Sequence, residues 1–227
     1  MNRKIALWSL WAGFIAYILF LSPPLHLDET LALLKNIFTL NLLAINPVVL
    51  SIFALVGILL LIYSGVLFFD GRMQSIPFWP FALAGVGAGI LGLLPYLAFR
   101  EPNQEFAGRK DSFLNFLDSR LFGLILTFST LSILGYGLFF GDWVDFWQQF
   151  HSDRFINGMS LAVCLFCLLF PTVLGDDMAR RRFHNPELFW AVALVPLLGP
   201  LAYLCLRPAI LENNIAQYRQ TTLVRNS

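Results

Sequence analysis

Every charged side chain of this sequence lies outside six uninterrupted apolar segments. The 15 basic and 14 acidic residues fall at the ends and in the connections, and so do the histidines; the segments are residues 5–21, 47–69, 78–99, 121–140, 159–174 and 188–206. An apolar run of about 20 residues forms a helix that can cross a hydrocarbon core of about 30 Å. The sequence therefore predicts an all-α membrane protein with six transmembrane helices, as a single integral membrane domain over residues 1–227.

The balance of charge excludes several classes of function. Hydrophobic residues make up 58% of the chain and charged residues 13%, and the net charge is only +1. No polybasic surface indicates nucleic-acid binding, and no acidic tail indicates disorder. Ionisable groups inside a membrane usually mark proton paths or active sites, so their absence from the six segments argues against a proton-coupled pump or an intramembrane hydrolase.

Three connections carry amphipathic patterns. Residues 28–42 begin with Asp28 and Glu29 and continue with leucines at helical spacing. In residues 142–153, tryptophan and phenylalanine alternate with polar residues. Residues 100–120 likewise place phenylalanine and leucine among charged residues. Aromatic side chains of this kind are typical of the bilayer surface. We therefore expect amphipathic helices lying in the interface. The first apolar segment has no small-x-small cleavage site at its end, so we expect it to be a retained helix.

Short sequence matches between the two halves of the chain suggest an internal duplication as a hypothesis. Residues 91–100 align with residues 198–207, and Asp70 after the second segment matches Asp177 after the fifth. Three segments per half would place the halves in opposite orientations, which predicts a 3+3 inverted repeat. The corresponding ranges are repeat halves 1–102 and 103–208, followed by a polar C-terminal tail, 209–227.

Glycines in the third segment predict close helix packing. Gly85, Gly89 and Gly92 would share one stripe of a continuous helix, and small residues on such a stripe allow neighbouring helices to approach closely.

Polar clusters at the segment ends are the weak candidates for ligand binding: Asp70, Arg72, Asp176, Asp177 and Arg180. Two adjacent carboxylates could hold Mg²⁺ while an arginine binds the phosphate of a lipid. A structural loop held by ion pairs is the alternative that we favour. His26, His151 and His184 are isolated in loops, so we predict no metal site. We also predict no catalytic residue and no cofactor, with a bound lipid or pigment as the alternative.

Basic residues give a nearly even signal for orientation. Under six crossings, the two sides would receive eight and seven basic residues. The basic loop 100–120 and the run at residues 180–182 would share one side, opposite the loops 70–77 and 141–158. Because basic loops favour the cytoplasm, we expect those two basic segments to be cytoplasmic and both termini to lie on the other side.

Several motifs together resemble a multi-pass membrane protein family of cyanobacteria and plastids that has no established activity. They are Ala-Ile-Asn-Pro (44–47), Phe-Asp-Gly-Arg (69–72), Ile-Pro-Phe-Trp-Pro-Phe-Ala-Leu (76–83), Arg-Glu-Pro-Asn (100–103), Leu-Asp-Ser-Arg (117–120), Leu-Gly-Asp-Asp-Met-Ala-Arg (174–180) and Gly-Pro-Leu-Ala-Tyr-Leu-Cys-Leu-Arg-Pro (199–208). The resemblance implies a cyanobacterial thylakoid or plasma membrane, or the plastid equivalent.

Three functions are compatible with this sequence. The preferred one is a non-enzymatic assembly or accessory factor that packs, within membrane lipids, against another integral membrane protein or complex. The first alternative is a transporter of a small neutral or amphipathic solute. The second is a Mg²⁺-dependent lipid-phosphate enzyme that uses Asp176 and Asp177.

Overall fold

The computed structural model describes residues 3–212, which form helices and their connections. Residues 213–227 of the predicted polar tail lie outside the described residues. In chain order the helices are α1 (Arg3–Ala16), continued by a π-helical turn (Tyr17–Leu21), α2 (Leu27–Phe38), a 3-10 turn (Leu42–Ala44), α3 (Pro47–Gly71), α4 (Trp79–Ala88), α5 (Ile90–Phe99), α6 (Ser112–Asp118), α7 (Arg120–Phe140), α8 (Trp143–Ser152), α9 (Arg154–Leu169), α10 (Pro171–Arg180), α11 (Pro186–Leu194) and α12 (Leu198–Leu206).

Four helices of the described part are long and apolar enough to cross a membrane. They are α1 with its π-helical continuation, α3, α7 and the combined α9–α10. Helix α3 lies at the centre, where most of its residues are buried. The Tyr63 hydroxyl of α3 donates to the Phe166 carbonyl of α9 over 2.7 Å, and the Ser51 hydroxyl donates to the Ile133 carbonyl of α7 over 2.9 Å. The prediction of an all-helical membrane protein is confirmed at this level.

The third predicted transmembrane helix instead folds back on itself. Gly89 separates α4 from α5 with φ of 56°, a left-handed conformation that favours glycine. The two helices run antiparallel at very close range, because a Cβ atom on Gly92 would lie 2.3 Å from the Ala84 carbonyl carbon. Helices of 10 residues are about 15 Å long. The hairpin therefore reaches only to the middle of α3, where Gly89 faces Val56.

The sixth predicted transmembrane helix is also interrupted. Leu197, with φ of 64°, separates α11 from α12. A Cβ atom on Gly199 would lie 2.3 Å from the Val192 carbonyl oxygen, so these two helices form a second tight hairpin. In both segments the apolar length suits a crossing, but the backbone reverses direction midway. The prediction of six spans is thus wrong for residues 78–99 and 188–206.

The two halves share one order of elements and one orientation. Each has a long helix, an amphipathic helix, a second long helix and a hairpin. The Arg180 guanidinium lies 3.1 Å from Asp70 and 3.8 Å from Asp177, so the ends of α3 and α10 meet on the same face. This contact contradicts the inverted repeat, which would separate the two carboxylates across the bilayer. We call this face, where α3, α5, α10 and α12 end, the ionic face.

Helices form in all three expected connections, and α2 and α8 are amphipathic. Helices α2 and α8 lie on the face opposite the ionic face, and α6 lies on the ionic face. The Asp142 carboxylate accepts hydrogen bonds from the backbone N–H groups of Val144 and Asp145, which explains where α8 begins. Trp143 and Trp147 of α8 are exposed, as expected for side chains at the membrane surface.

The observed topology gives a much stronger orientation signal than six crossings would. Loop 70–77 lies on the same face as loop 100–120, and the start of α1 lies there too because Arg3 donates to the Arg100 carbonyl. Both placements differ from our expectation. Eleven of the thirteen basic residues in the described part are at the ionic face: Arg3, Lys4, Arg72, Arg100, Arg109, Lys110, Arg120, Arg180, Arg181, Arg182 and Arg207; Lys35 and Arg154 are at the other. We expect the ionic face to be cytoplasmic.

Candidate functional site

A buried carboxylate joins the ends of α3 and α5. Asp70 accepts hydrogen bonds from the Tyr96 hydroxyl over 2.9 Å and from Arg100 Nε and Nη2 over 2.8 and 2.9 Å. The side chains of Asp70 and Arg100 are completely buried. A two-pronged pair between arginine and a carboxylate fixes geometry as well as charge. This ion pair therefore holds the end of α5, the second helix of the first hairpin, against α3.

The second half repeats this arrangement. Asp177 accepts a hydrogen bond from the Tyr203 hydroxyl over 2.7 Å and another from Arg207 Nη1 over 3.3 Å. The aspartate precedes the tyrosine by 26 residues and the arginine by 30, and the same separations hold in the first half. We call these two sets the aspartate–tyrosine–arginine triads. Each triad ties the end of a long helix to the end of its hairpin.

Arginines of α10 and its neighbours connect the two triads. Arg180 lies between Asp70 and Asp177, and the first triad's Arg100 also donates to Asp176 over 2.5 Å. Taking charges out of water costs several kcal/mol for each ion unless partners compensate. Because opposite charges alternate through this network, each buried carboxylate has at least one arginine in contact. The network closes the ionic face of the helical bundle.

A third carboxylate extends the network to α6. Arg181 donates to Asp118 over 2.6 Å and to Asp177 over 2.8 Å, and Lys110 donates to Asp118 over 2.9 Å. Burial acts to raise the pKa of Asp118, but the charge of Arg181 and the hydrogen bonds from Arg181 and Lys110 outweigh it. The pKa of Asp118 therefore lies below its usual range.

Acidification should weaken this part of the fold. In the unfolded chain the Asp118 carboxyl has a pKa of about 3.9, and in the folded protein its pKa is lower. The ion pairs thus contribute stability above about pH 4 that is lost as the pH falls through the folded pKa. We expect unfolding midpoints of wild type and Asp118→Asn to differ at neutral pH and to converge as the pH falls below 4. A gap that stays constant down to pH 2 would contradict this assignment.

The predicted ligand-binding residues fall into two places. Asp70, Asp176, Asp177 and Arg180 belong to the network, whereas Arg72 pairs with exposed Asp111 away from it. The two adjacent aspartates diverge toward different arginines, so in this structure they do not form a paired carboxylate site for Mg²⁺. The sequence analysis did not identify the tyrosines and arginines of the triads, although their equal spacing is visible when residues 91–100 are aligned with residues 198–207.

The glycines of the third segment do not form one stripe, because the helix ends at Gly89. A Cβ atom on Gly85 would lie 2.7 Å from Leu60 of α3, so this glycine allows α4 to approach α3. Gly92 instead allows α4 and α5 to approach each other. Gly89 forms the turn at the tip of the hairpin.

An apolar cavity of about 310 Å³ lies between this tip and the face opposite the ionic face. Its walls come from α1, α3, α4, α5 and α9, and its lining is Phe14, Ile18, Leu25, Phe53, Val56, Val86, Gly87, Ala88, Gly89, Leu91, Arg154, Phe155, Gly158, Met159 and Ala162. The tip of the first hairpin, residues 86–89, forms one wall of this space.

Among the described residues, Arg154 is the one charged residue in the lining of this cavity. It is the first residue of α9, and its Nε donates to the Pro23 carbonyl over 3.0 Å. Leu25 lies at the same end, in the connection between α1 and α2. The cavity therefore combines an apolar body with a cationic group at the interface end. This pattern suits a molecule that has an apolar part and an acidic or hydrogen-bonding head.

Comparison of the chain with protein-family models, with curated proteins and with solved structures found no match. The function of the protein therefore has to follow from the chemistry of its own candidate site.

Proposed function

We propose that this protein is a non-enzymatic integral membrane protein that binds one small amphipathic molecule in the cavity, as a transporter or carrier of that molecule. The observation that carries the proposal is the apolar cavity with Arg154 at one end. Ligand pockets are commonly about 300–1,000 Å³ in volume and mostly apolar, with a few polar groups that orient the ligand. At about 310 Å³, this cavity would suit a single hydrocarbon chain or ring system.

The ionic network supports a one-sided binding site. The triads and Arg180 hold the helix ends together at the ionic face, while the cavity lies toward the opposite face. The proposed molecule would therefore enter from the bilayer or from the side of α2 and α8. Its apolar part would contact the tip of the first hairpin, and its head would lie near Arg154.

Filling the cavity tests this function. A Cβ atom on Gly87 would have no atom within 4 Å, and Gly87 lines the cavity, so Gly87→Phe should place a ring in the binding space. We expect native mass spectrometry in mild detergent to find roughly one bound amphipathic molecule per wild-type protein, within a volume that suits one small ligand, and none in the variant.

A matched substitution controls for the added ring. A Cβ atom on Gly135 of α7 would also have no atom within 4 Å, and Gly135 does not line the cavity. Gly135→Phe should keep the bound molecule. Wild-type protein without a bound molecule, or equal occupancy in the two variants, would overturn the proposal.

The role of an assembly or accessory factor in a photosynthetic membrane rests on the resemblance described above and stays a second proposal. The outward side of α7 offers a surface for a partner, since Phe128 and Phe139 are strongly exposed. Lipid would cover the same side chains equally well. Co-purification of another membrane protein in mild detergent would support this role, whereas recovery of only the free monomer would count against it.

A further inference from the structure

One oxygen of a buried aspartate lacks a hydrogen-bond partner at the start of α9. Asp153 is 5% exposed, and its Oδ1 accepts a hydrogen bond from the Ile156 N–H over 2.9 Å, which caps the helix. Its Oδ2 is buried and has no hydrogen bond to any described residue. A buried carboxylate oxygen without a hydrogen bond is costly. The cap fixes the orientation of the carboxylate and so holds Oδ2 in place.

Two further metal-ligating groups lie beside this oxygen. His26 Nδ1 is 3.7 Å from Asp153 Oδ2, and Glu29 follows His26 by three residues at the start of α2. One ligand atom from each of His26, Glu29 and Asp153 lies within 4.8 Å of the others. His26 is the residue immediately before α2 and Glu29 lies in the first turn of α2, so both side chains are at the end of this helix that lies beside Asp153.

We propose that His26, Glu29 and Asp153 form a binding site for a divalent transition metal ion of the zinc class. Zinc takes imidazole nitrogen and carboxylate oxygen at about 2.0–2.2 Å, and it commonly uses three protein ligands with a fourth position left to water. Ligand atoms at these bond lengths around a tetrahedral ion are roughly 3.3 Å apart. The observed spacing therefore needs only a small inward movement of the exposed His26 and Glu29 side chains.

The metal would join two elements that otherwise make few contacts. Helix α2 has no buried residue, while Asp153 belongs to the buried start of α9. Metal binding would fix α2 against the helical bundle beside Leu25 and Arg154, which line the end of the cavity. The site is independent of the proposed cavity ligand, since none of the three metal-binding residues lines the cavity.

Zinc titration of the full-length protein tests this site. The protein would be purified in mild detergent through a tag that contains no histidine, stripped with chelator and titrated by calorimetry. We expect one zinc ion to bind. We expect His26→Gln, Glu29→Gln and Asp153→Asn each to weaken the affinity by at least about tenfold, because loss of even a hydrogen-bond partner of a metal ligand costs about that much. Asn is a good helix cap, so Asp153→Asn should keep the start of α9.

Two neighbouring substitutions serve as controls. His151→Gln removes an exposed histidine from α8 on the same face, and Asp28→Asn removes the acid adjacent to Glu29. Both should leave zinc affinity unchanged. The proposal is overturned if zinc does not saturate at one ion, or if ligand and control variants bind equally. It is also overturned if zinc leaves the wild-type unfolding midpoint unchanged, since the residues would then form only an ion pair.

Discussion

Asp177→Ala is expected to destabilise the protein by about 3–5 kcal/mol, because it removes one partner from a buried ionic network. The Asp177 carboxylate is in contact with Arg181, Arg207 and the Tyr203 hydroxyl, and it is completely buried. Without it, the buried Arg207 guanidinium would keep only backbone carbonyl partners among the described residues. Unfolding in mild detergent, followed by circular dichroism, measures the loss.

An exposed ion pair provides the control for Asp177→Ala. Glu101 lies 3.5 Å from Lys4, and both side chains are more than half exposed. Exposed pairs contribute about 0–1 kcal/mol, so Glu101→Ala should change the unfolding free energy by no more than that. The double variant Asp177→Asn with Arg207→Gln should lose less than the sum of the two single variants, since it removes both charges together. Equal changes in unfolding free energy for Asp177→Ala and Glu101→Ala would show that the network does not stabilise the fold.

Gly92→Ala is expected to open the first hairpin and to cost a few kcal/mol of stability. Its Cβ atom would lie 2.3 Å from the Ala84 carbonyl carbon and 2.5 Å from the Gly85 nitrogen, and these backbone atoms cannot rotate away. Forcing extra atoms into a packed interior typically costs about 1–3 kcal/mol, and more where the backbone has to shift. Gly199→Ala should act in the same way on the second hairpin, where the new atom would meet Val192.

Gly87→Ala separates this steric effect from the general effect of adding a methyl group. Gly87 lies on the same hairpin, but a Cβ atom there would have no neighbour within 4 Å. Alanine is the better helix former by about 1 kcal/mol, so this variant should be as stable as wild type or slightly more stable. If Gly92→Ala unfolds at the same temperature as Gly87→Ala, then α4 and α5 are not packed as closely as described.

Hydropathy located the membrane-embedded segments but could not show which of them cross. Residues 78–99 are as free of charged side chains as residues 47–69 and are almost as long. The difference depends on the backbone at Gly89 and on the close approach at Gly92, and a count of apolar residues does not detect either. Glycines within an apolar run also favour packing between straight helices, which is the interpretation that their spacing alone supports.

The sequence matches between the two halves contained more information about the ionic network than any single residue did. Asp70 and Asp177 occupy equivalent positions, and the tyrosine and arginine that bind each of them recur at equal separations. The inverted interpretation followed from counting three crossings per half. With two long helices and a hairpin in each half, both aspartates lie on one face, where Arg180 contacts each of them.

The cavity and the proposed metal site depend on contacts between distant parts of the chain. Arg154 and Leu25 are more than 120 residues apart, and so are Asp153 and His26. Neither the spacing of the three histidines nor the hydropathy of any single segment predicts that these residues lie close together. They arise because the connection after α1 runs beside the start of α9, where the Arg154 N–H donates to the Pro24 carbonyl.

The topology is tested most directly by labelling single cysteines from each side of the membrane. In a variant in which Cys164, Cys167 and Cys205 are replaced by alanine, single cysteines would be introduced at exposed positions 72 and 184 on the ionic face and 35 and 148 on the opposite face. An impermeant maleimide applied to one side of oriented vesicles should label the cysteines at positions 72 and 184. The same reagent applied to the other side should label the cysteines at positions 35 and 148. Labelling of 72 and 184 from opposite sides would contradict the four-crossing fold.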